Sequence, residues 1–137
     1  MILYNDLIVR HNQKPRHRGH LKGNLIAHGA NAVCGDELTL QLRVKDGKIA
    51  DGAFHGEGCA ISQASADIML DLIIGQTTDT AKKLSAQFHG LISGDIEQSE
   101  WDALGDAAAF RPVAKMPARK KCALLAWDTL DEILERR

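Results

Sequence analysis

Long apolar runs, paired cysteines and a strong charge of either sign are all missing from this 137-residue sequence. No apolar run approaches the roughly 20 residues that a membrane-spanning helix needs, so we expect no membrane insertion. The net charge of −1 argues against extensive nucleic-acid binding. The first residues lack the basic and apolar regions of a secretory signal, so we expect a cytoplasmic protein.

Cysteine is scarce as well as unpaired. The chain has three cysteines, an odd number that excludes a closed set of disulfides within one chain. None of them forms a Cys-X-X-Cys pair, so their spacing does not indicate a zinc finger. Clustered thiols in a reducing compartment usually bind metal or react, whereas a lone cysteine is most often a small buried hydrophobe. Spacing alone leaves both interpretations open.

The composition that remains is that of an ordinary globular protein, with 45% hydrophobic and 26% charged residues. A chain of this length can bury a core without disulfides, and we expect residues 1–137 to form a single domain.

Alternating leucines predict a sheet in the first half of the chain. Residues 38–44 alternate apolar and polar side chains, the period of a half-buried strand. Asp46 and Gly47 follow as a hairpin turn signal, and residues 48–55 return as the partner strand. Residues 24–30 are a plausible first strand. The three strands predict a small antiparallel meander.

Helices are predicted before and after the three strands in the sequence. Capping residues and apolar spacing place them at residues 2–11, from Cys59 to Gly75, from Thr77 to Gly94, at 95–104, and from Pro117 onwards, with a loop or short helix over 105–116. Together these elements predict an α+β fold in which helices pack on one face of a three-stranded antiparallel sheet.

Cys59 lies where the chain enters its central helix. Residues 56–62 read Gly-Glu-Gly-Cys-Ala-Ile-Ser, and an apolar face with helical spacing begins at Ile61. Unpaired backbone N–H groups at a helix N-terminus stabilise a negatively charged sulfur. Cys59 is therefore a candidate for metal binding or reaction.

Cys34 and Asp36 lie just before the predicted central strand. Residues i and i+2 of an extended chain point the same way, so the thiol and the carboxylate would share one side. The return strand of the hairpin runs antiparallel and leads into Cys59. The hairpin thus makes contact between Cys34 and Cys59 possible despite their separation in sequence.

Cys122 falls within the first two turns of the last helix, among several lysines and arginines. Three thiolates and one carboxylate could bind Zn²⁺ tetrahedrally, or iron. The six histidines, at positions 11, 17, 20, 28, 55 and 89, show no paired ligand spacing, and we interpret most of them as structural or exposed.

Residues 10–22 form a basic loop with five Lys or Arg, three His and no acidic residue. The sequence leaves two interpretations open, a solvated charge run or a docking arm for an acidic partner or RNA.

Three segments give the chain a family resemblance. Residues 34–36 (Cys-Gly-Asp), 56–62 and 117–122 (Pro-Ala-Arg-Lys-Lys-Cys) resemble the signature segments of the IscU/NifU-type iron–sulfur cluster assembly proteins, and the similarity covers nearly the whole chain. The long stretch between Gly94 and Cys122, and Lys121 in place of a histidine ligand, resemble the SufU branch more closely.

This resemblance implies a Zn²⁺ site made by Cys34, Asp36, Cys59 and Cys122. It also implies that Cys34 accepts persulfide sulfur from a SufS-type cysteine desulfurase, after a partner histidine displaces it from zinc. Such a protein would be at most a sulfurtransferase acting with the desulfurase, upstream of SUF scaffold proteins.

The resemblance further implies an arginine near the site, matched by Arg119. Two alternatives stay open: the same residues could be an IscU-like scaffold for a [2Fe–2S] cluster, or the chain could be a metal-free binding module that uses its basic loop.

Overall fold

The computed structural model describes residues 6–32 and 35–136. Cys34, the predicted sulfur acceptor, lies outside the described residues, as does the start of the predicted first helix. The described elements, in chain order, are α1 (Asp6–Gln13), β1 (Leu25–Asn31), β2 (Asp36–Lys45), β3 (Lys48–Glu57), α2 (Ala60–Ile73), α3 (Thr78–Ser93), a 3₁₀ segment (Gln98–Lys115) and α4 (Pro117–Arg136).

The three strands form an antiparallel meander in the order β1-β2-β3. The turn between β2 and β3 is made by Asp46 and Gly47, whose φ angles of 54° and 76° are both positive. Two successive positive φ angles define the hairpin turn whose twist matches that of the strands, and Asp-Gly is a preferred sequence for it. The predicted meander and its turn are confirmed.

One face of the sheet carries the core. Leu38, Leu40 and Leu42 of β2 all point to this face and are at most 4% exposed. Helices α2 and α4 cover it, and the approach is close: a side chain at Gly29 of β1 would collide with Thr129 of α4. The predicted α+β fold, with helices packed on one face of the sheet, is confirmed.

A stretch of the basic loop lies along the outer edge of β3. The backbone N–H of Phe54 donates to the carbonyl of His17, and the N–H of Gly19 donates to the carbonyl of Phe54. Two backbone hydrogen bonds thus close the edge of the sheet opposite β1.

Helix α2 is the centre of the molecule. Every residue from 61 to 70 is buried, because α1, α4, β3 and the 3₁₀ segment surround the helix. The apolar face that the sequence predicts from Ile61 is buried, and polar side chains on the other faces, including Gln63 and Asp67, are buried as well. Periodicity identified the helix but not how many neighbours it has.

The ends of the remaining helices follow their sequence signals. The Thr77 side chain accepts a hydrogen bond from the N–H of Thr80, and Gly94 ends α3 in the left-handed conformation. Pro117 opens α4 as predicted.

The connection between α3 and α4 differs from the predicted short helix and loop. It is a 3₁₀ segment, kinked at Gly105, where φ is 52°. A 3₁₀ helix has three residues per turn, so residues three apart share a face. The buried apolar residues of this segment fall at that spacing: Leu104, Ala107, Phe110 and Val113.

Within the described ranges, no helix combines the length and the apolar character that crossing a bilayer would require.

Candidate metal centre

Three of the four predicted metal ligands come together at one end of the sheet. Asp36 begins β2, Cys59 is the N-cap of α2, and Cys122 lies in the second turn of α4. One carboxylate oxygen of Asp36 and the two sulfur atoms lie within 4.8 Å of one another. Asp36 is 2% exposed and Cys122 fully buried, while Cys59 is partly exposed. We call Asp36, Cys59 and Cys122 the thiol centre.

The register of the hairpin explains how Asp36 reaches Cys59. Glu37 at the start of β2 pairs with Glu57 at the end of β3. Asp36 therefore lies beside the two residues that connect β3 to α2, and the backbone N–H of Cys59 donates to Asp36 Oδ1 at 2.9 Å. Helix α4 then brings Cys122 from the far end of the chain, because it packs against both β1 and α2.

The carboxylate of Asp36 is only half satisfied by the described protein. Its Oδ1 accepts from the Cys59 N–H and lies 3.3 Å from the Ser62 hydroxyl, whose one hydrogen is shared with the Cys59 carbonyl at 3.0 Å. Its Oδ2 is buried and has no hydrogen-bond partner among the residues that the structure describes. A buried carboxylate oxygen without a partner carries a free-energy cost, which a bound cation removes.

Gly58 leaves the space that this arrangement needs. A Cβ at this position would lie 2.4 Å from Ser62 Oγ and 2.6 Å from Asp36 Oδ1. Any side chain would therefore push Asp36 away from the thiol centre.

The donor set fits Zn²⁺. In tetrahedral zinc sites the Zn–S distance is about 2.3 Å and the Zn–O distance about 2.0–2.2 Å, which places neighbouring ligand atoms roughly 3.5–3.8 Å apart. Ligand atoms within 4.8 Å of one another reach this spacing by small side-chain movements. Two thiolates and a carboxylate are also ligands that iron accepts.

A buried amide lies next to the sulfur of Cys122. Asn31 ends β1, opposite Asp36, and its Nδ2 is 3.9 Å from Cys122 Sγ. An amide N–H directed at sulfur stabilises negative charge there, as hydrogen bonds around metal-bound thiolates do.

Arg119 lies three residues before Cys122 on α4, and its backbone N–H donates to the carbonyl of Met116. Its assignment beside the site stays a prediction, as does that of Cys34.

Sequence reasoning missed the residues that support the ligands. Ser62 is three residues after Cys59, a spacing that puts both on one side of the first helical turn. That signal was present in the sequence. The contact of Asn31 with Cys122 depends on how α4 packs on β1, and no local pattern reports it.

Residues 10–13 of the predicted basic loop belong to α1, and the remaining residues form the loop. One histidine from each part contacts α2. His11 Nδ1 lies 2.6 Å from Asp67 Oδ2, and both side chains are buried. His17 Nε2 lies 2.6 Å from Asp71 Oδ1, and the backbone N–H of His17 donates to Asp67 Oδ1. The interpretation of the whole loop as a solvated charge run is therefore wrong for these two histidines. Arg16 and Arg18 remain exposed.

Comparison with known proteins places the chain in a family. Residues 3–123 match the NifU-like N-terminal domain. The iron–sulfur cluster assembly scaffold protein IscU of Streptococcus pyogenes serotype M1 is 37% identical over 134 residues, which is 98% of this chain and 84% of that protein. The zinc-dependent sulfurtransferase SufU of Bacillus subtilis is 37% identical over 130 residues, 95% of this chain and 88% of that protein.

The fold comparison agrees. The crystal structure of a candidate iron–sulfur cluster assembly scaffold protein for the SUF system, from Fervidobacterium islandicum, superposes with a TM-score of 0.91 at 34% identity and covers 96% of each chain. This chain belongs to the NifU-like N-terminal domain family, and its relatives include an iron–sulfur cluster assembly scaffold protein and a zinc-dependent sulfurtransferase.

Proposed function

We propose that this protein acts in iron–sulfur cluster assembly as a zinc-dependent sulfur acceptor. In this proposal Asp36, Cys59 and Cys122 hold Zn²⁺ together with Cys34, and Cys34 receives persulfide sulfur from a SufS-type cysteine desulfurase. A reducing compartment such as the cytoplasm would keep the thiols reduced, and residues 1–137 would act as one domain.

The observation that carries the proposal is the convergence of two sulfur atoms on a buried carboxylate whose Oδ2 lacks a partner among the described residues. A purely structural aspartate at 2% exposure would be expected to have both oxygens hydrogen-bonded. Ser62 and Gly58 also support this role of Asp36. The Ser62 hydroxyl lies next to the carboxylate, and Gly58 leaves the space that the carboxylate occupies.

The chain's own residues supply the remaining chemistry. Zn²⁺, when bound, keeps its cysteine ligands deprotonated. The Cys34 thiolate attacks the outer sulfur of the donor's cysteine persulfide, a new sulfur–sulfur bond forms on Cys34, and the donor cysteine leaves as a thiolate. No oxidant is needed, because the sulfur moves at the oxidation level at which it arrives.

The names of the relatives support both the zinc-dependent sulfur transfer and the assignment to the SUF system. The Bacillus subtilis relative is named a zinc-dependent sulfurtransferase, and the Fervidobacterium islandicum structure is assigned to the SUF system. On this basis we propose a SufS-type desulfurase as the sulfur donor and SUF scaffold proteins as the recipients.

The decisive experiment replaces Cys34 with serine. Purified protein is incubated with a SufS-type desulfurase and cysteine, and sulfur addition is followed by intact-protein mass together with desulfurase turnover. We expect Cys34→Ser to accept no sulfur and to lose the stimulation of turnover. Arg43→Ala, a change at an exposed position of β2 that removes no thiol, is the control. Full stimulation by Cys34→Ser would overturn the assignment.

The alternative function is a scaffold on which a [2Fe–2S] cluster is assembled, and the name of the Streptococcus pyogenes relative supports it. Metal analysis with a visible spectrum separates the two. One tightly held, colourless zinc per chain supports sulfur transfer, whereas brown, labile iron and sulfide support the scaffold.

A further inference from the structure

A second group of metal-ligating side chains lies between α3 and α4, away from the thiol centre. His89 comes from α3, and Asp128 and Asp131 come from α4; we call these three residues the His89 cluster. His89 Nε2 is 2.6 Å from Asp128 Oδ1 and 3.9 Å from Asp131 Oδ2, and the three ligand atoms lie within 4.8 Å of one another. Asp128 is six residues beyond Cys122, roughly 9 Å along the helix axis.

The imidazole of His89 is oriented as in metal-binding histidines. Its Nδ1 lies 2.8 Å from the backbone carbonyl of Ser85, one helical turn earlier. A carbonyl oxygen only accepts hydrogen bonds, so Nδ1 carries the hydrogen and Nε2 faces the two carboxylates. Metal-ligating histidines almost always donate their second ring N–H to a carbonyl or a carboxylate in this way.

Ser85 also contacts the imidazole through its side chain. It is 1% exposed, and its hydroxyl lies 3.5 Å from His89 Nδ1. A single buried residue outside the cluster therefore fixes the orientation of the imidazole. In this the cluster differs from an ordinary group of exposed acidic residues, none of whose side chains is held in place.

The electrostatics of the cluster favour a cation. The hydrogen bond to Asp128 raises the pKa of His89 from 6.5 to about 9, even though burial opposes the charge. Burial raises the pKa of Asp131, and the nearby carboxylates of Asp128 and Glu135 add to the effect. A shallow cavity of about 380 Å³ beside Asp131 is lined by Glu135, Ala86 and one cationic residue, Lys82.

We propose that the His89 cluster is a second metal site, which binds a first-row divalent cation such as Zn²⁺ or Co²⁺ through His89 Nε2 and the carboxylates of Asp128 and Asp131. The metal takes the lone pair of Nε2, and the proton on that nitrogen passes to solvent. One imidazole nitrogen and two carboxylate oxygens favour such ions over Cu⁺, which selects sulfur, and over Mg²⁺, which selects oxygen. The remaining coordination positions face solvent.

The test uses the full-length protein, loaded with zinc and desalted. Co²⁺ is then added, bound metal is counted by equilibrium dialysis, and the absorption spectrum is recorded. We expect one additional Co²⁺ per chain and no sulfur-to-cobalt charge-transfer band. The missing band separates this site from the thiol centre, so the result does not depend on the proposed sulfur transfer.

Matched variants assign the site. His89→Gln and Asp128→Asn should each weaken the additional Co²⁺ binding at least 10-fold, while circular dichroism verifies the fold. His28→Ala is the control, because His28 is exposed on the sheet and contacts Thr39 rather than an acid. Retention of the additional Co²⁺ in both cluster variants, a sulfur-to-cobalt band, or no binding of added Co²⁺ would overturn the proposal.

Discussion

Two aspartates of this protein are almost completely buried, and they differ in how their carboxylate oxygens are paired. Asp67, in the middle of α2, is 0% exposed: its Oδ2 contacts His11 and its Oδ1 accepts from the backbone of His17. Asp36 is 2% exposed, and among the described residues only its Oδ1 has partners. One carboxylate is satisfied within the protein, and the other is satisfied by half.

The difference separates a structural role from a binding role. Removing a carboxylate from water costs several kcal/mol unless its oxygens are paired. The oxygens of Asp67 are paired with His11 of α1 and with His17 of the basic loop, so Asp67 connects both segments to α2. Among the described residues Asp36 has only one oxygen paired, and it lies against two sulfur atoms. Gln63 Oε1 and Trp127 Nε1 are also buried without a partner among the described residues, but neither carries a charge. An unpaired buried carboxylate oxygen beside two sulfur atoms is therefore a sign of a bound cation.

The largest effect is expected from Asp67→Ala. The change leaves the His11 ring and the His17 N–H without their partner in a buried place, and breaking a buried pair of this kind costs about 3–5 kcal/mol. Urea unfolding should show this loss in the free energy of unfolding, while zinc content at low temperature stays that of the parent. A loss of less than about 1 kcal/mol in the free energy of unfolding would contradict the structural role of Asp67.

Asp36→Ala should give the reverse pattern. Zinc should be lost to a competing chelator at least 10-fold faster, because a ligand is gone. The metal-free protein should lose no more than about 1–2 kcal/mol, since two hydrogen bonds disappear together with an unsatisfied buried oxygen. Asp36→Asn, which keeps the shape without the charge, is the matched variant. Zinc loss at the parent's rate from Asp36→Ala would exclude Asp36 as a ligand.

Ser62→Ala should have the smallest effect. It removes one hydrogen bond to Asp36 and leaves every ligand in place, and the loss of such a supporting contact typically weakens metal binding 10–100-fold. We expect an effect at the lower end of this range, a loss of about 10-fold in zinc affinity measured by competition, because the Cys59 N–H still donates to the same oxygen.

Ser65→Ala provides the control for this measurement. Ser65 is a fully buried serine on the same helix whose hydroxyl donates to the carbonyl of Ala123. Its removal should lower stability and leave zinc affinity unchanged. Equal effects of the two variants on zinc affinity would mean that Ser62 acts through stability alone.

Much of the fold could be predicted because its signals are local. The alternation in β2, the Asp46-Gly47 turn, the Thr77 cap and Pro117 each act within a few residues, and each is found where predicted. The burial of α2 on all sides and the pairing of His11 with Asp67 depend on packing between distant segments. A sequence pattern of period 3.6 contains no information about those neighbours.

The residues of the candidate site also fall into those that local signals predict and those that only packing between distant segments brings together. The closeness of Asp36 to Cys59 follows from hairpin geometry and could be predicted from the turn position. The arrival of Cys122 could not, and only the family resemblance indicated it. The His89 cluster was missed because its histidine and its aspartates belong to different helices, although Asp128 and Asp131 alone have the spacing of one helical face.

The hydrogen bonds of Phe54 to the basic loop also limit how this protein can aggregate. A strand with unpaired backbone groups is a template for another chain, and a fibril needs such a template on both sides of every sheet. Among the described residues, the loop covers the β3 edge at Phe54 and residues 75–76 cover it at Ile49, whereas β1 is the other edge strand, with which a strand from a second molecule could pair. Two copies could join their sheets through β1, but a third could not be added without first detaching the loop.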